Sequence, residues 1–194
     1  RDDLVTRVQT CALPILQQFG GISQSHTPAA DTLSNTTLAL RSAAASAGVV
    51  LTCGGVSVGG RDFVRPALEE AGGILDGYKV AMKPGKPFAH GRIGNTHWLG
   101  LPGNPASAMV AFFLFGVPLL RKLQGASVTG PRFFEAPLAH EAKALATRTH
   151  FMRGVMRDGF ARALPVQASG AFVSMLQATC LIRSEEHTSE LQSP

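Results

Sequence analysis

The chain has 194 residues, of which 45% are hydrophobic and 16% charged, and its formal net charge is +5 at pH 7. This composition is typical of a folded globular protein and excludes a disordered chain. The positive balance favours an anionic partner, but Lys and Arg form no runs and aromatic residues are only 7%. A phosphorylated small molecule therefore fits better than nucleic acid, and no nucleic-acid partner is expected.

The two ends of the chain differ in composition from the rest. "VTRVQTCALPI" near the start and "RSEEHTSELQSP" at the end look like translated sequencing-adapter DNA. Residues 1–15 and 183–194 are therefore predicted to be non-native and to pack against nothing. On this interpretation an internal fragment runs from about Leu16 to Ile182, and native frayed termini are the alternative.

Cysteine usage and hydropathy indicate the compartment. Cys53 and Cys180 show no motif spacing, which indicates a reducing, cytoplasmic setting. The longest apolar run, "AMVAFFLFGVPLL", is shorter than the roughly 20 residues of a membrane span. It predicts a buried helix, so no membrane partner is expected.

The first predicted elements surround a glycine-rich loop. "DTLSNTTLALRSAAASA" (31–47) predicts a helix with Leu33, Leu38 and Leu40 available to one face, and "GVVLTC" predicts a short buried strand. After the loop, "DFVRPALEEAG" predicts a helix that begins at Asp62 as its N-cap.

The next elements continue an alternation of strands and helices. "ILDGYKVAM", "PFAHGRI" and "THWLGL" predict strands, the last two joined by a turn at Gly94 and Asn95. "NPASAMVAFFLFGVPLLRKL" predicts a helix with Asn104 as N-cap and Pro105 at its first position. This order predicts an α/β domain with a mostly parallel sheet over residues 16–124. Shorter apolar stretches after Gly125 predict a small β domain over 125–182.

Three loops that follow predicted strands could together bind an anion. Open α/β sheets bind ligands beyond the carboxyl ends of their strands. Glycines let the backbone approach closely, and helix N-termini present free N–H groups. The loops contribute Gly54, Gly55, Ser57 and Gly59 from the first, Lys83 and Lys86 from the second, and Pro102, Gly103 and Asn104 from the third.

The sequence from Gly55 to Gly59 also has the G-x-S-x-G spacing of a serine hydrolase. A nucleophile elbow needs a helix that starts almost at once and a placed His. Here the helix cannot start before about Asp62, so Ser57 is predicted not to be a nucleophile. The histidines at positions 90, 97, 140 and 150 show no metal-binding spacing and are interpreted as surface or structural residues.

Three segments in order carry a resemblance to a known family. "TCGGVSVGGRDFVRPALEEAGG", "KVAMKPGKPFAHGR" and "GLPGNPASAMVAF" closely resemble the molybdopterin molybdenumtransferases, the MoeA family to which the gephyrin E domain also belongs. "THFMRGVMRDG" and "ASGAFVSMLQAT" are similar to the family's small C-terminal β domain. The resemblance implies a three-layer α/β/α molybdopterin-binding domain without its first strand, followed by a truncated β domain.

The family's activity, as the resemblance implies it, is Mg²⁺-dependent insertion of molybdate into adenylylated molybdopterin with release of AMP. By resemblance, Asp62 and the weaker match Asp31 would serve the Mg²⁺-nucleotide, and Lys83 and Lys86 would act with Asp62 in catalysis. The molybdate would be held by Lys83, Lys86, Arg153 and Ser169.

Other interpretations stay open at these positions. Asp62 could be only a helix cap, Arg153 a solvated surface residue, and the two lysines solvated loop charges. The family also has preceding domains that form much of a homodimer, so a homodimer is expected in the full-length parent and poor activity in this chain alone. A molybdopterin adenylyltransferase of the same fold and a non-catalytic gephyrin-like scaffold are the competing functions.

Overall fold

The computed structural model describes residues 3–7, 16–25, 32–55, 63–142, 148–168 and 172–184. Its strands, in chain order, are β1 (Asp3–Arg7), β2 (Ile22–Ser25), β3 (Val49–Cys53), β4 (Gly73–Tyr78), β5 (Met82–Lys83), β6 (Ala89–Ile93), β7 (Thr96–Leu101), β8 (Thr149–Arg157), β9 (Phe160–Ala163) and β10 (Cys180–Ser184). The helices are α1 (Leu33–Ser46), α2 (Val64–Glu70), α3 (Pro105–Ala111), α4 (Val117–Leu123) and α5 (Phe172–Gln177), with a π-helical segment, Phe112–Gly116, between α3 and α4.

The larger sheet has the strand order β2-β1-β3-β7-β6-β4. The pairs β2–β1, β1–β3 and β3–β7 are parallel, whereas β7–β6 and β6–β4 are antiparallel. The prediction of a mostly parallel α/β sheet is confirmed. The carboxyl ends of β3 and β7 lie side by side, because Cys53 pairs with Leu101.

Helices cover both faces of this sheet, which gives the three predicted layers. Val50 and Trp98 face a core formed with α1 and α2, while Leu51 and Leu99 face a core formed with α3, the π-helical segment and α4. Side chains alternate between the two faces of a strand, so the buried residues of β3 contribute to both cores. This explains why "VVLTC" is apolar without alternation.

The smaller sheet has the order β10-β8-β5, with β9 paired to β8. Most of it comes from residues after Gly125, as the sequence predicts for a small β domain. It also recruits Met82 and Lys83, which pair in parallel with Thr149 and His150. The stretch "ILDGYKVAM" is therefore not one strand: Lys79 has a φ of 63°, and β5 belongs to the other sheet.

The prediction that residues before Leu16 pack against nothing is wrong for β1. Asp3–Arg7 pairs in parallel with both β2 and β3, so the larger sheet contains a strand before Ile22. At the other end, Arg183 and Ser184 extend β10 against Phe151 and His150. Ladder hydrogen bonds join main-chain groups, so an unusual side-chain composition does not exclude a segment from a sheet.

Two details of the predicted helices also differ. The N-cap of α2 is Phe63, with no side-chain hydrogen bond, and not Asp62. In α1, Leu40 is buried but Leu38 is 60% exposed, and Thr37 and Ala43 occupy the buried face instead. The hydroxyl of Thr37 donates to the carbonyl oxygen of Leu33 and contacts the Glu70 carboxylate, so a polar residue is satisfied there.

The helix over Pro105–Leu123 is 19 residues long and meets the length and composition of a membrane span. From the sequence, no apolar run of that length is expected. Half of the span is buried inside the protein, where Ala108, Phe112 and Val117 pack in the core beneath the larger sheet. This is also the environment of a core helix, so length and composition alone are weak evidence for a membrane span.

Gly91 is a position where the fold tolerates no side chain. A Cβ atom there would overlap the carbonyl oxygen of Ile74 and lie 3.2 Å from the Cα of Leu75, beside the register shift between β4 and β6. We expect Gly91→Ala to lower the free energy of unfolding by about 1–3 kcal/mol in urea titrations, because backbone must move. Gly130→Ala is the control, since nothing lies within 4 Å of its added Cβ. Equal unfolding midpoints for the two variants would contradict this packing.

Candidate functional site

Two of the predicted loops meet at the carboxyl ends of β3 and β7. The amide of Gly54 donates to the carbonyl oxygen of Leu101 at 2.9 Å. A Cβ atom on Gly103 would lie 3.4 Å from the Cα of Gly54, and Gly54 has a φ of 80°. Only glycine adopts this conformation readily. The two loops therefore present bare backbone at one edge of the sheet, as predicted for a site that binds through main-chain groups.

Unsatisfied polar atoms lie at the same edge. Asn104 is the N-cap of α3 and Pro105 is at the first helical position, as predicted, but the Asn104 side chain makes no capping hydrogen bond. Its Oδ1 and the Oγ1 of Thr52 are buried without a hydrogen-bond partner, and Pro102 beside them is buried. Buried polar atoms are normally paired, so this edge has capacity for a polar ligand.

The second predicted loop follows β5. Hydrogen bonds from the Val80 amide to the Lys86 carbonyl, 3.0 Å, and from the Phe88 amide to the Gly85 carbonyl, 3.0 Å, turn the chain back. Gly85 packs close to Ala111 of α3, because a Cβ atom on it would lie 3.8 Å from that of Ala111. Lys83 and Lys86 are both exposed, so their ammonium groups are free to meet an anion.

Arg153 is buried, with 1% of its surface exposed. Its Nη2 donates to the carbonyl oxygens of Val166, 3.2 Å, and Ala168, 3.1 Å. Its backbone is clamped by Gln167, whose Oε1 accepts from the Arg153 amide and whose Nε2 donates to the Arg153 carbonyl. The interpretation of Arg153 as a solvated surface residue is therefore wrong.

The remaining guanidinium nitrogens of Arg153 are unsatisfied. Nε and Nη1 are buried and have no hydrogen-bond partner. Burial lowers the pKa of the guanidinium, although an arginine stays protonated in proteins. A buried cation without a counter-charge is costly. The arrangement is therefore suited to an anion that accepts from both nitrogens.

His150 is on β8, three residues before Arg153. It pairs directly with Lys83 across β5 and β8, is buried, and its Nδ1 has no hydrogen-bond partner. Burial lowers the pKa of His150, and the positive charges of Lys83 and Arg153 lower it further. We call Lys83, His150 and Arg153 the basic cluster because their charges act on one another, although strand alternation places His150 and Arg153 on opposite faces of β8.

Sequence reasoning missed His150 as a member of the site. The pattern that could have found it is strand alternation, because His150 and Met152 are both buried while Thr149 and Phe151 are only half-buried. Its neighbour Lys83 is 67 positions away in the chain and pairs with it only in the folded sheet. Gln167, which fixes the Arg153 backbone, was also missed, because its contact with Arg153 exists only in the folded chain.

Five predicted site residues lie outside the described residues: Asp31, Ser57, Gly59, Asp62 and Ser169. The structure does describe residues next to them in the chain. Gly55 and Phe63 flank the first loop, and Ala168, whose carbonyl oxygen accepts from Arg153, directly precedes Ser169. In the part of the chain that the structure describes, no group of three or more His, Cys, Asp or Glu residues is placed to hold a metal ion.

The structure thus forms two half-sites: the glycine edge, with Gly54, Gly103 and Asn104, and the basic cluster. α3 lies between them, since it begins beside Gly103 while Ala111, about 9 Å further along its axis, contacts the lysine loop. α5, which follows Ser169, also contacts α3. Convergence of both half-sites on one bound ligand stays a prediction.

Known families match both halves of the chain. The family described as "Probable molybdopterin binding domain" matches residues 10–122, and the family described as "MoeA C-terminal region (domain IV)" matches residues 135–193. The first match contains the glycine edge and both lysines, and the second contains His150 and Arg153. The two families therefore divide the basic cluster between them.

Similar proteins carry consistent names. A molybdopterin molybdenumtransferase of Haemophilus influenzae is 38% identical over 150 residues, which are 74% of this chain and 37% of that protein. One of Nostoc is 33% identical over 182 residues, 89% of this chain and 40% of that protein. The chain therefore spans about two fifths of the length of these relatives.

A solved structure of similar fold is a molybdopterin biosynthesis MoeA protein of Pyrococcus horikoshii. It has a TM-score of 0.72 and 23% identity, over 94% of this chain and 49% of that one. This likeness supports the fold, and the two family matches together span most of the sequence. The chain belongs to the MoeA family of molybdopterin molybdenumtransferases.

Proposed function

We propose that this chain provides the molybdate site and part of the molybdopterin site of a molybdopterin molybdenumtransferase. The reaction inserts molybdate into adenylylated molybdopterin and releases AMP. The observation that supports this most is the buried Arg153, whose Nε and Nη1 lack partners, on the strand that pairs with the one that carries Lys83. Such a cluster selects a compact anion and not a neutral ligand.

Molybdate suits this cluster in charge and shape. Its four oxygens are acceptors only, so one of them can accept from Arg153 Nε and another from Nη1. Lys83 can approach from β5 and Lys86 from the following loop, and Ser169 can add a hydroxyl donor. Charge-assisted bonds of this kind contribute about 1.5–3 kcal/mol each, which offsets the cost of keeping Arg153 buried.

The glycine edge is suited to adenylylated molybdopterin. Backbone N–H groups near Gly54, Gly55 and Gly103 can approach phosphate closely, and Asn104 and Thr52 offer unsatisfied polar atoms. Ser57, Gly59 and Pro102 complete this proposed surface. Asp62 and Asp31 would hold Mg²⁺, since carboxylate oxygens are ligands that Mg²⁺ prefers. The ion would neutralise phosphate charge as AMP leaves.

The setting of this activity is also a proposal. We propose a cytoplasmic enzyme, because the cysteines show no motif spacing, as is typical of a reducing compartment, and a homodimer when the chain is part of a longer protein. A role as an adenylyltransferase fits less well. Arg153 and His150 lie in the segment that matches the MoeA C-terminal region, and an enzyme that only transfers AMP has no need of a molybdate site.

AMP release tests the proposed function. A full-length protein that contains this chain is mixed with adenylylated molybdopterin and Mg²⁺, and AMP is measured with and without molybdate. We expect release that depends on molybdate and saturates with it. Release that is independent of molybdate, or no release although both substrates bind, would contradict the proposal.

A substitution at Asp62 separates the two half-sites. We expect Asp62→Asn to lower AMP release by at least tenfold, because a neutral amide is a poorer Mg²⁺ ligand. Molybdate affinity should change less than threefold, since the basic cluster is intact. Asp76→Asn, at an exposed position of β4, is the control for loss of one carboxylate. If Asp62→Asn lowers molybdate affinity as strongly as AMP release, the division into two half-sites is wrong.

A further inference from the structure

We propose that Gln167 is a positioning residue for molybdate binding, one that acts through Arg153 without touching the anion. Its side-chain amide holds residues 164–168, which we call the strap, against β8 and so fixes the direction of the Arg153 guanidinium. The inference deepens the proposed function and rests on it, because it takes Arg153 as a residue that binds molybdate.

The Gln167 amide replaces a bond of the β ladder. The pairing of β8 with β9 ends at Gly154 and Ala163. One step further, the Leu164 amide donates to the Arg153 carbonyl oxygen at 2.8 Å. In a regular antiparallel pair the Arg153 amide would donate back to the Leu164 carbonyl oxygen. Here the Arg153 amide donates to Oε1 of Gln167, 3.0 Å, and Nε2 of Gln167 donates to the Leu164 carbonyl oxygen, 2.7 Å. The side chain is therefore inserted between the two segments as a peptide group would be.

The surroundings of the Gln167 side chain require an amide. Besides the Leu164 carbonyl oxygen, Nε2 donates to the Arg153 carbonyl oxygen at 2.8 Å. One N–H group and two carbonyl oxygens thus face the side chain. A primary amide supplies the matching acceptor and two donors, whereas a carboxylate supplies acceptors only and a thioether no donor. All three contacts are lost or weakened by any substitution that removes the amide.

The strap that Gln167 holds is also the segment that directs Arg153. The carbonyl oxygens that accept from Nη2 belong to Val166 and Ala168, the residues on either side of Gln167. A guanidinium is planar and rigid, so fixing Nη2 also fixes the directions of Nε and Nη1, the two donors without partners.

Hydrogen bonds and not apolar packing keep the strap in place. Val166 and Ala168 are both exposed, so they bury little apolar surface against β8. Loss of the Gln167 contacts should therefore let the strap and the guanidinium move. Donors that are already fixed bind a ligand with a smaller loss of conformational entropy, so Gln167 should raise molybdate affinity through Arg153.

Substitution of Gln167 tests this in a full-length protein that contains the chain. Gln167→Met should raise the molybdate concentration for half-maximal AMP release roughly tenfold, as loss of a residue that orients a ligand typically does. The rate of AMP release at saturating molybdate should stay within about twofold of native. A merely structural role would lower that rate through loss of folded protein and leave the half-maximal concentration unchanged. Gln17→Met, at an exposed position, is the control and should match the native protein in both.

Hydrogen exchange of the native 194-residue chain gives a second measurement that needs no variant. Coupling is reciprocal, so if the Gln167 contact favours molybdate binding, molybdate must favour the contact. Exchange of the Arg153 amide, which donates to Oε1 of Gln167, should slow roughly threefold or more at saturating molybdate. The Ala161 amide, which donates to the Pro137 carbonyl oxygen, should exchange at an unchanged rate.

The outcomes separate this inference from the proposed function. Unchanged exchange of the Arg153 amide, or a native half-maximal molybdate concentration in Gln167→Met, would overturn the role of Gln167 and leave the proposed function standing. If AMP release by the native protein does not depend on molybdate, the proposed function fails and the role of Gln167 fails with it.

Discussion

Replacing Arg153 with Met should nearly abolish molybdate binding without unfolding the protein. The substitution removes the two unpartnered donors, Nε and Nη1, each expected to contribute about 1.5–3 kcal/mol to anion binding. Affinity should therefore fall by about two to four orders of magnitude in calorimetric titrations. The side chain is 1% exposed, so Met fills a similar buried volume.

The stability of this variant distinguishes a ligand-binding role from a structural one. A buried cation without a counter-charge destabilises the ligand-free fold. Val166 and Ala168, whose carbonyl oxygens lose the Arg153 donor, are exposed and can bind water instead. We therefore expect the urea unfolding midpoint of Arg153→Met to be equal to or higher than that of the native chain without molybdate. Arg162→Met, an exposed arginine on β9, is the control. Lost stability with unchanged molybdate affinity would show a structural role.

The double substitution of Lys83 and Lys86 by Ala should weaken molybdate use by about two to three orders of magnitude, because two charge-assisted contacts are removed. Lys83→Ala alone should have the larger effect of the two single substitutions, since Lys83 lies on the strand that pairs with β8, which carries Arg153. The measurement is the molybdate concentration that gives half-maximal AMP release.

A matched control keeps the change in net charge the same. Arg121→Ala with Lys122→Ala removes two positive charges from the last turn of α4 and should leave the molybdate dependence within twofold of native. Lys83 and Lys86 are both exposed, so the variant in which both are replaced by Ala should fold normally. A native molybdate dependence in the lysine variant would show that these residues are only solvated loop charges.

The sequence predicted the elements of the larger sheet where local signals were strong. The buried run at 49–53, the turn at Gly94 and Asn95, and Asn104 before Pro105 all gave structure as expected. Each depends on a few adjacent residues: an apolar strand, a glycine turn, and a proline that fits only the start of a helix. The glycine edge was predicted because its loops follow predicted strands, and the carboxyl ends of parallel strands lie at one edge of a sheet.

Non-local pairing limited the prediction of the basic cluster. Lys83 was assigned to the ligand site, but its pairing with β8 joins residues far apart in the sequence. His150 is buried where β5 pairs with β8, and Arg153 is covered by residues 166–168, so neither could be recognised as buried from local composition. β1 was missed for a related reason, since its place in the sheet depends on main-chain pairing with β2 and β3 and not on its side chains.

Crystallography tests directly whether the unpaired donors of Arg153 bind molybdate. Crystals of the chain grown with molybdate would be measured at the molybdenum absorption edge, where anomalous scattering locates the metal without assumptions about nearby density. We predict a molybdenum peak whose oxyanion lies within hydrogen-bonding distance of Nε and Nη1 of Arg153 and of the Lys83 ammonium. A peak elsewhere, or no peak at molybdate concentrations that saturate binding in solution, would contradict the account.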